Sequence, residues 1–213
     1  MAPEQIRDRL IAQRVVPVLR LASAELTERA VGCLAEAGFT TFEITLTTPG
    51  AIDLIQKLSR SLGARVLIGA GTLRDTDTAQ RCIDAGARFL VSPCLVPGLA
   101  RIAHDAGCAA MVGAFTPSEI HAAHRDGADV VKVFPASIGG PDYLRAVKAV
   151  FPDILLCPSG GVTSGNVEAF LAAGAALVCA GNNIVDHAAL AANDRAAVIA
   201  HARRFLHPGT TAA

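Results

Sequence analysis

Short apolar runs alternate with amphipathic stretches along the whole chain, and the unit recurs about every 20–25 residues. Six of the amphipathic stretches close on a residue–glycine pair: Ala37-Gly38, Leu62-Gly63, Ala85-Gly86, Ala106-Gly107, Asp126-Gly127 and Ala173-Gly174. Glycine just past a helix end takes the left-handed capping conformation, so each pair marks a helix end with a strand to follow. Taken in order, the pattern predicts a leading helix from Glu4 to Gln13 and strands at Val15 to Leu19, Thr40 to Leu46, Arg65 to Ile68 and Arg88 to Ser92. Further strands are predicted at Ala109 to Val112, from Asp129 to Pro135, at Ile154 to Cys157 and at Ala176 to Ala180. Helical patterns fill the intervals, and a last helix runs from Val185 to Leu206 with a break near Asn193. Eight strands alternating with helices in 213 residues predict a single (β/α)8 TIM barrel domain with a short N-terminal helix. An open doubly wound sheet is the alternative. The tail from Pro208 is expected to be disordered.

Two residues break the apolar pattern. Lys132 sits in Val130-Val131-Lys132-Val133, and Glu43 sits between Phe42 and Ile44. Lysine and glutamate are rarely buried without a partner or a task. Burial lowers a lysine pKa and raises a carboxylate pKa, which suits a Schiff-base nucleophile and a general acid/base. The plainer alternative is a structural ion pair, or side chains that reach solvent at a strand end. In a barrel, chemistry collects where strands end and loops begin. Arg20 ends strand one, Thr72 follows strand three, Pro93 follows strand four, and Ser159-Gly160-Gly161 and Gly181-Asn182-Asn183 follow strands seven and eight. Backbone N–H groups in such loops, with a helix N-terminus behind them, bind phosphate. Arg20 is either a bidentate carboxylate ligand or an exposed strand-end arginine.

Composition narrows the partners. Hydrophobic residues make up 52% and charged residues 18%, as suits parallel strands covered on both faces. With 19 basic and 19 acidic residues the net charge is zero, and tryptophan is absent. Neither a nucleic acid nor a membrane surface is indicated as a partner. Cys33, Cys82, Cys94, Cys108, Cys157 and Cys179 form no C-x-x-C pair, so they read as reduced core thiols. The N-terminus carries no apolar signal core, and no apolar run nears the roughly 18 residues of a membrane span. A cytoplasmic protein is expected. The histidines fall on helices or near the tail, without ligand spacing, so no metal is expected. No G-x-G-x-x-G with a following acidic residue points to a dinucleotide.

Six segments in register resemble the 2-keto-3-deoxy-6-phosphogluconate aldolase family: Val-Val-Pro-Val-Leu-Arg (15–20), Phe-Glu-Ile-Thr-Leu-Thr-Thr-Pro (42–49), Ile-Gly-Ala-Gly-Thr (68–72), Leu-Val-Ser-Pro (90–93), Val-Lys-Val-Phe-Pro-Ala (131–136) and Cys-Pro-Ser-Gly-Gly-Val (157–162). The resemblance covers nearly the whole chain. It implies a metal-free, cofactor-free Schiff-base aldolase on a (β/α)8 barrel, assembled as a homotrimer and acting on a small 2-keto acid phosphate. By resemblance Lys132 is the Schiff-base lysine and Glu43 the general acid/base. Thr72 and Pro93 surround the pyruvate part, Phe134 packs beside the lysine, and Ser159, Gly160, Gly161 and Gly181 hold the phosphate.

The chain departs from the pattern in three places. Thr47 stands where many members have an arginine for the pyruvate carboxylate, and Arg20 matches the position used by others. Asn182 stands where a phosphate-contacting serine is common, and Gly113-Ala114-Phe115-Thr116 differs from the usual proline-glycine loop start. The expected reaction is cleavage of 2-keto-3-deoxy-6-phosphogluconate to pyruvate and glyceraldehyde 3-phosphate. The alternatives are a 4-hydroxy-2-oxoglutarate or 2-keto-3-deoxy-6-phosphogalactonate aldolase, and a non-catalytic barrel that binds a phosphorylated metabolite.

Overall fold

Alternation of side chains along each strand organises the molecule into two apolar layers. Outward-facing strand residues such as Phe42, Ile44, Val131 and Val133 pack with the helices in one cluster. Inward-facing residues such as Val16, Val18, Val130, Cys157 and Cys179 form a second cluster inside the sheet. The computed structural model describes residues 1–206, so the tail expectation from Pro208 lies outside the described residues. The elements are α1 (Pro3–Gln13), β1 (Val15–Leu19), α2 (Ala24–Ala37), β2 (Thr41–Thr45), α3 (Ala51–Leu62), β3 (Leu67–Gly71), α4 (Thr76–Asp84), β4 (Phe89–Val91) and α5 (Leu99–Asp105). They continue as β5 (Ala109–Ala114), α6 (Pro117–Arg125), β6 (Val130–Val133), α7 (Gly140–Val150), β7 (Leu156–Pro158), α8 (Val167–Ala172), β8 (Val178–Ala180), α9 (His187–Ala191) and α10 (Arg195–Leu206).

All strands are parallel, and each pairs with its sequence neighbours from β1 to β7. β1 also pairs with β8 through Val15↔Val178, Val16↔Cys179 and Pro17↔Ala180. A single bridge, Ser159↔Cys179, joins the ends of β7 and β8 and closes the ring. The fold is therefore the (β/α)8 barrel, and the open-sheet alternative falls away. α1 plugs one end: Ile6 and Leu10 are fully buried among the inward residues of the strands.

Five of the six capping glycines behave as expected, while Gly63, with φ +63° and ψ −162°, does not take the left-handed turn and opens a 3-10 turn, Gly63–Arg65, before β3. Gly38 has φ +118° and accepts the left-handed turn that ends α2, and Gly86, Gly107, Gly127 and Gly174 share positive φ. Several strand bounds differ from expectation: β4 is confined to Phe89–Val91, β7 and β8 begin two residues late at Leu156 and Val178, and two strands run on through glycines. β3 begins at Leu67 and runs on through Gly71, and β5 runs through Gly113 to Ala114. Glycine inside a strand reads as a loop, but here it marks close approach. A side chain on Gly69 would strike the ring of the buried Phe89, and one on Gly113 would strike the backbone of Pro93 and Cys94. β6 is also shorter than expected: Asp129 leaves the strand and caps the Ala110 amide at 2.7 Å instead. The last helix does break, at Asn193 with φ +59°.

Candidate active site

Strand alternation sends Lys132, two residues after Val130, into the barrel, and Glu43 faces it from β2 on the far side. Their side chains meet with Nζ to Oε1 at 3.4 Å. Lys132 is 6% exposed and Glu43 is fully buried. Gly71 makes room for the glutamate, since a Cβ there would lie 2.6 Å from Glu43 Cγ. Below the pair, Cys179 Sγ lies 3.9 Å from Glu43 Oε2 and 3.5 Å from Cys157 Sγ. Burial first, then the neighbouring Cys179, pushes the Cys157 thiol well above its ordinary value, so it is a neutral thiol near pH 7. The interior thus changes from apolar at the α1 end to polar at the loop end.

The expected direction of the Lys132 shift needs correction. Burial does favour the free amine, and it is the largest single influence. The Glu43 carboxylate opposes it, and the balance lies above the ordinary lysine value. Lys132 therefore rests as an ammonium. A free amine requires that the proton leave, and the carboxylate oxygen at 3.4 Å is its nearest acceptor.

A cavity of about 310 Å³ opens above Lys132. It brings together Arg20, Thr72, Pro93, Phe134, Ser159, Gly160, Gly161, Gly181 and Asn182, with Lys132 on its wall. Every residue given a catalytic or binding role from the sequence borders this space except Glu43, which sits beneath the lysine. Three further residues line it: Val18, Val162 and Asn183. Val16, Val18 and Arg20 share one face of β1, so the period of two would have found Val18. Asn183 sat in a loop already noted, but nothing separated it from Asn182.

Each wall of the cavity is fixed differently. Thr72 holds φ +66°, a left-handed backbone that costs a β-branched residue strain. Ser92 Oγ accepts from the Gly113 amide at 3.0 Å and donates to the Cys94 carbonyl at 2.8 Å, fixing the turn that carries Pro93. Ser159 is tied on both sides of its peptide, its N–H donating to the Val133 carbonyl at 2.9 Å and its carbonyl accepting from Ala136 at 2.7 Å. Gly160 and Gly161 follow at φ +87° and +78°. Asn166 Nδ2 donates to the Gly161 carbonyl at 2.9 Å. The helices expected beyond the glycine loops follow at a distance. α8 begins only at Val167, and Gly181 leads into a 3-10 turn, Asn182–Ile184. Arg20 is exposed and makes no ion pair among the described residues.

The arrangement joins a buried amine, a buried carboxylate and an open cavity with a cation at one margin and glycine loops at another. Among the described residues no three His, Cys, Asp or Glu side chains gather as a metal site. No helix among them is long and apolar enough to cross a membrane.

A protein-family comparison matches residues 6–201 to the aldolase family described as KDPG and KHG aldolase. The chain belongs to this family. It is thus an aldolase, a carbon–carbon lyase. It is 39% identical over 161 residues to a probable 2-dehydro-3-deoxy-6-phosphogalactonate aldolase of Rhizobium meliloti, covering 75% of this chain and 76% of that one. It is 38% identical to a 2-dehydro-3-deoxy-phosphogluconate aldolase of Pseudomonas aeruginosa, covering 75% and 72%. Among solved structures, the KDPG aldolase of Legionella pneumophila superposes with a TM-score of 0.84 at 29% identity, covering 92% of this chain and 96% of that one. That crystal structure holds pyruvate captured at low pH as a covalent carbinolamine.

Proposed function

We propose that this aldolase cleaves 2-keto-3-deoxy-6-phosphogluconate to pyruvate and glyceraldehyde 3-phosphate through a Schiff base on Lys132. The observation that carries the reading is the buried Lys132–Glu43 pair, 3.4 Å apart, at the wall of the cavity. Lys132 first passes its extra proton to Glu43. The free amine adds to the C2 ketone, giving a carbinolamine; Glu43 returns its proton to the carbinolamine hydroxyl, which leaves as water, so that an iminium forms and Glu43 is a carboxylate again. Glu43, directly or through a water, takes the C4 hydroxyl proton as the C3–C4 bond breaks, and the bonding pair moves into the iminium. An enamine of pyruvate remains, and the aldehyde departs. Protonation of C3 with help from Glu43, followed by hydrolysis, frees pyruvate and the lysine. General acid/base help of this kind contributes about 10²–10⁴-fold.

Arg20 is assigned to the substrate carboxylate, in place of the arginine that Thr47 lacks. The backbone amides around Gly160, Gly161, Gly181 and Asn182 are assigned to the phosphate, with Thr72, Pro93 and Phe134 against the pyruvate part. Holding both ends aligns the breaking bond with the iminium, and such alignment contributes about 7–11 kcal/mol to the barrier reduction. The reaction runs without metal or cofactor, in a cytoplasmic homotrimer.

Two sister reactions compete. The 39% identity to the phosphogalactonate enzyme favours the C4 epimer as a second substrate. Asn182 in the phosphate loop favours unphosphorylated 4-hydroxy-2-oxoglutarate. A panel of the three substrates scored by kcat/KM tests the reading. The gluconate ester is expected to lead, and a clear lead for either other substrate overturns the assignment. The sensor reading is opposed by the buried pair, which a passive binding site does not need.

A further inference from the structure

Two histidines outside the cavity hold the backbone of the loop after β8. His187 Nε2 donates to the Asn182 carbonyl at 3.1 Å, and His201 Nε2 donates to the Asn183 carbonyl at 2.8 Å. Carbonyls only accept, so both rings carry their proton on Nε2. The rest of the network agrees for His201, whose Nδ1 is then free to accept, and Arg204 donates to it. The Phe205 ring lies 6.2 Å from the imidazole and limits its swing. A trans peptide points its N–H opposite to its C=O. Holding the Asn182 carbonyl therefore sets the direction of the Asn183 N–H in the cavity wall. The Asn183 side chain also spans the gap between the two glycine loops, donating to the Val162 carbonyl at 3.1 Å.

We propose that His187 and His201 are positioning residues: they fix the Asn182–Asn183 peptides so that this loop binds the phosphate monoester end of the substrate. The inference rests on the phosphate reading of the loops after β7 and β8. A loop with larger side chains and no long helix behind it is made rigid from outside, by α9 and α10, rather than by its own turn. The histidines touch neither substrate nor lysine, so their loss is felt in binding of the phosphate end and not in chemistry at C2.

The test compares wild type, His201→Ala, His187→Ala and His201→Gln on 2-keto-3-deoxy-6-phosphogluconate and on its dephosphorylated form. Borohydride trapping of pyruvate on each variant reports the other end of the site. A glutamine amide places a donor near the imidazole Nε2 without a titratable ring. Loss of one hydrogen bond predicts a KM for the phosphate ester raised about 3- to 10-fold in either alanine variant, with kcat and the pyruvate trapping rate held within about twofold. His201→Gln is expected to restore most of the loss. A wild type that prefers the phosphate ester, combined with alanine variants of unchanged KM, overturns the clamp alone. Equal losses in KM and in pyruvate trapping, or no rescue by glutamine, also overturn it. A wild type indifferent to phosphate overturns the phosphate reading and the clamp together. Should His201→Ala not fold, His187→Ala and His201→Gln carry the same readouts.

Discussion

Replacing Gly71 by alanine tests whether the position of the Glu43 carboxylate governs the rate. Gly71 ends β3 beside the glutamate, and its backbone suits any residue, so the added methyl acts through space alone. That Cβ would lie 2.5 Å from Glu43 Cδ and 2.6 Å from Cγ, with Oε1 closer still. Contacts below 3.0 Å do not occur, so the carboxylate must retreat by about 1 Å, and a misplacement of that size costs about 10²-fold in rate. Retreat is hemmed in by Lys132 on one oxygen and Cys179 on the other. Overpacking of a filled interior costs about 1–3 kcal/mol, which for a chain of this length lowers Tm by about 2–12 °C. The assay pairs a coupled measurement of pyruvate release with a thermal melt. Gly71→Ala is expected to melt as a folded protein, with kcat down about 100-fold. Gly69→Ala is the control, because the atoms nearest its Cβ would be those of the Phe89 ring in the core. Its surviving folded fraction should keep its kcat. Full activity in folded Gly71→Ala would refute the claim that Glu43 acts from its observed position.

Other perturbations read the same geometry. Glu43→Gln removes the charge that raises the Lys132 pKa and leaves burial, which lowers it; the pH midpoint for borohydride trapping of pyruvate should fall while cleavage drops about 10²–10⁴-fold, and a midpoint that rises contradicts the pairing. Thr72→Gly relieves the strain at φ +66°, worth about 1–2 kcal/mol before glycine's own entropy cost of about 0.5–1, so Tm should rise slightly as kcat/KM falls; a lower Tm would show that the turn is unstrained. Glu119 caps α6, and the amides of Thr116 and Phe115 hold its carboxyl below the ordinary 4.5. A depressed carboxylate stabilises the fold above that value and loses its contribution as pH falls through the folded-state pKa. Glu119→Gln should therefore flatten the fall of Tm below about pH 4.5, and an unchanged acid limb speaks against the cap.

The barrel was legible because its signals are local. Glycine caps end helices by backbone conformation, and buried parallel strands show as apolar runs, so the order of elements needed no tertiary information. Lys132 and Glu43 were legible as violations of that pattern, since a charge inside an apolar run has few ordinary explanations. Strand ends at Gly69–Gly71 and Gly113 were not legible. Those glycines answer to Phe89, Glu43 and the Pro93–Cys94 backbone, and nothing in the local sequence records such neighbours. The direction of the lysine shift was missed for a related reason. Burial could be read from one strand, but its outcome depends on a carboxylate 89 positions away. Asn183, His187 and His201 matter through backbone carbonyls, which any residue supplies, so their pairing leaves no pattern in the chain.

The central claim is that Lys132 is the nucleophile, and the chain offers a clean discrimination because its only lysines are Lys57, Lys132 and Lys148. Lys57 is exposed and pairs with Glu28 at 2.7 Å, and Lys148 donates to the carbonyls of Pro152 and Ile154. Incubation with pyruvate and borohydride, followed by peptide mass mapping, should place one reduced pyruvate adduct on Lys132 and leave the other two unmodified. A protein that cleaves its substrate with Lys132 unlabelled, or with the adduct on Lys57 or Lys148, would contradict the account.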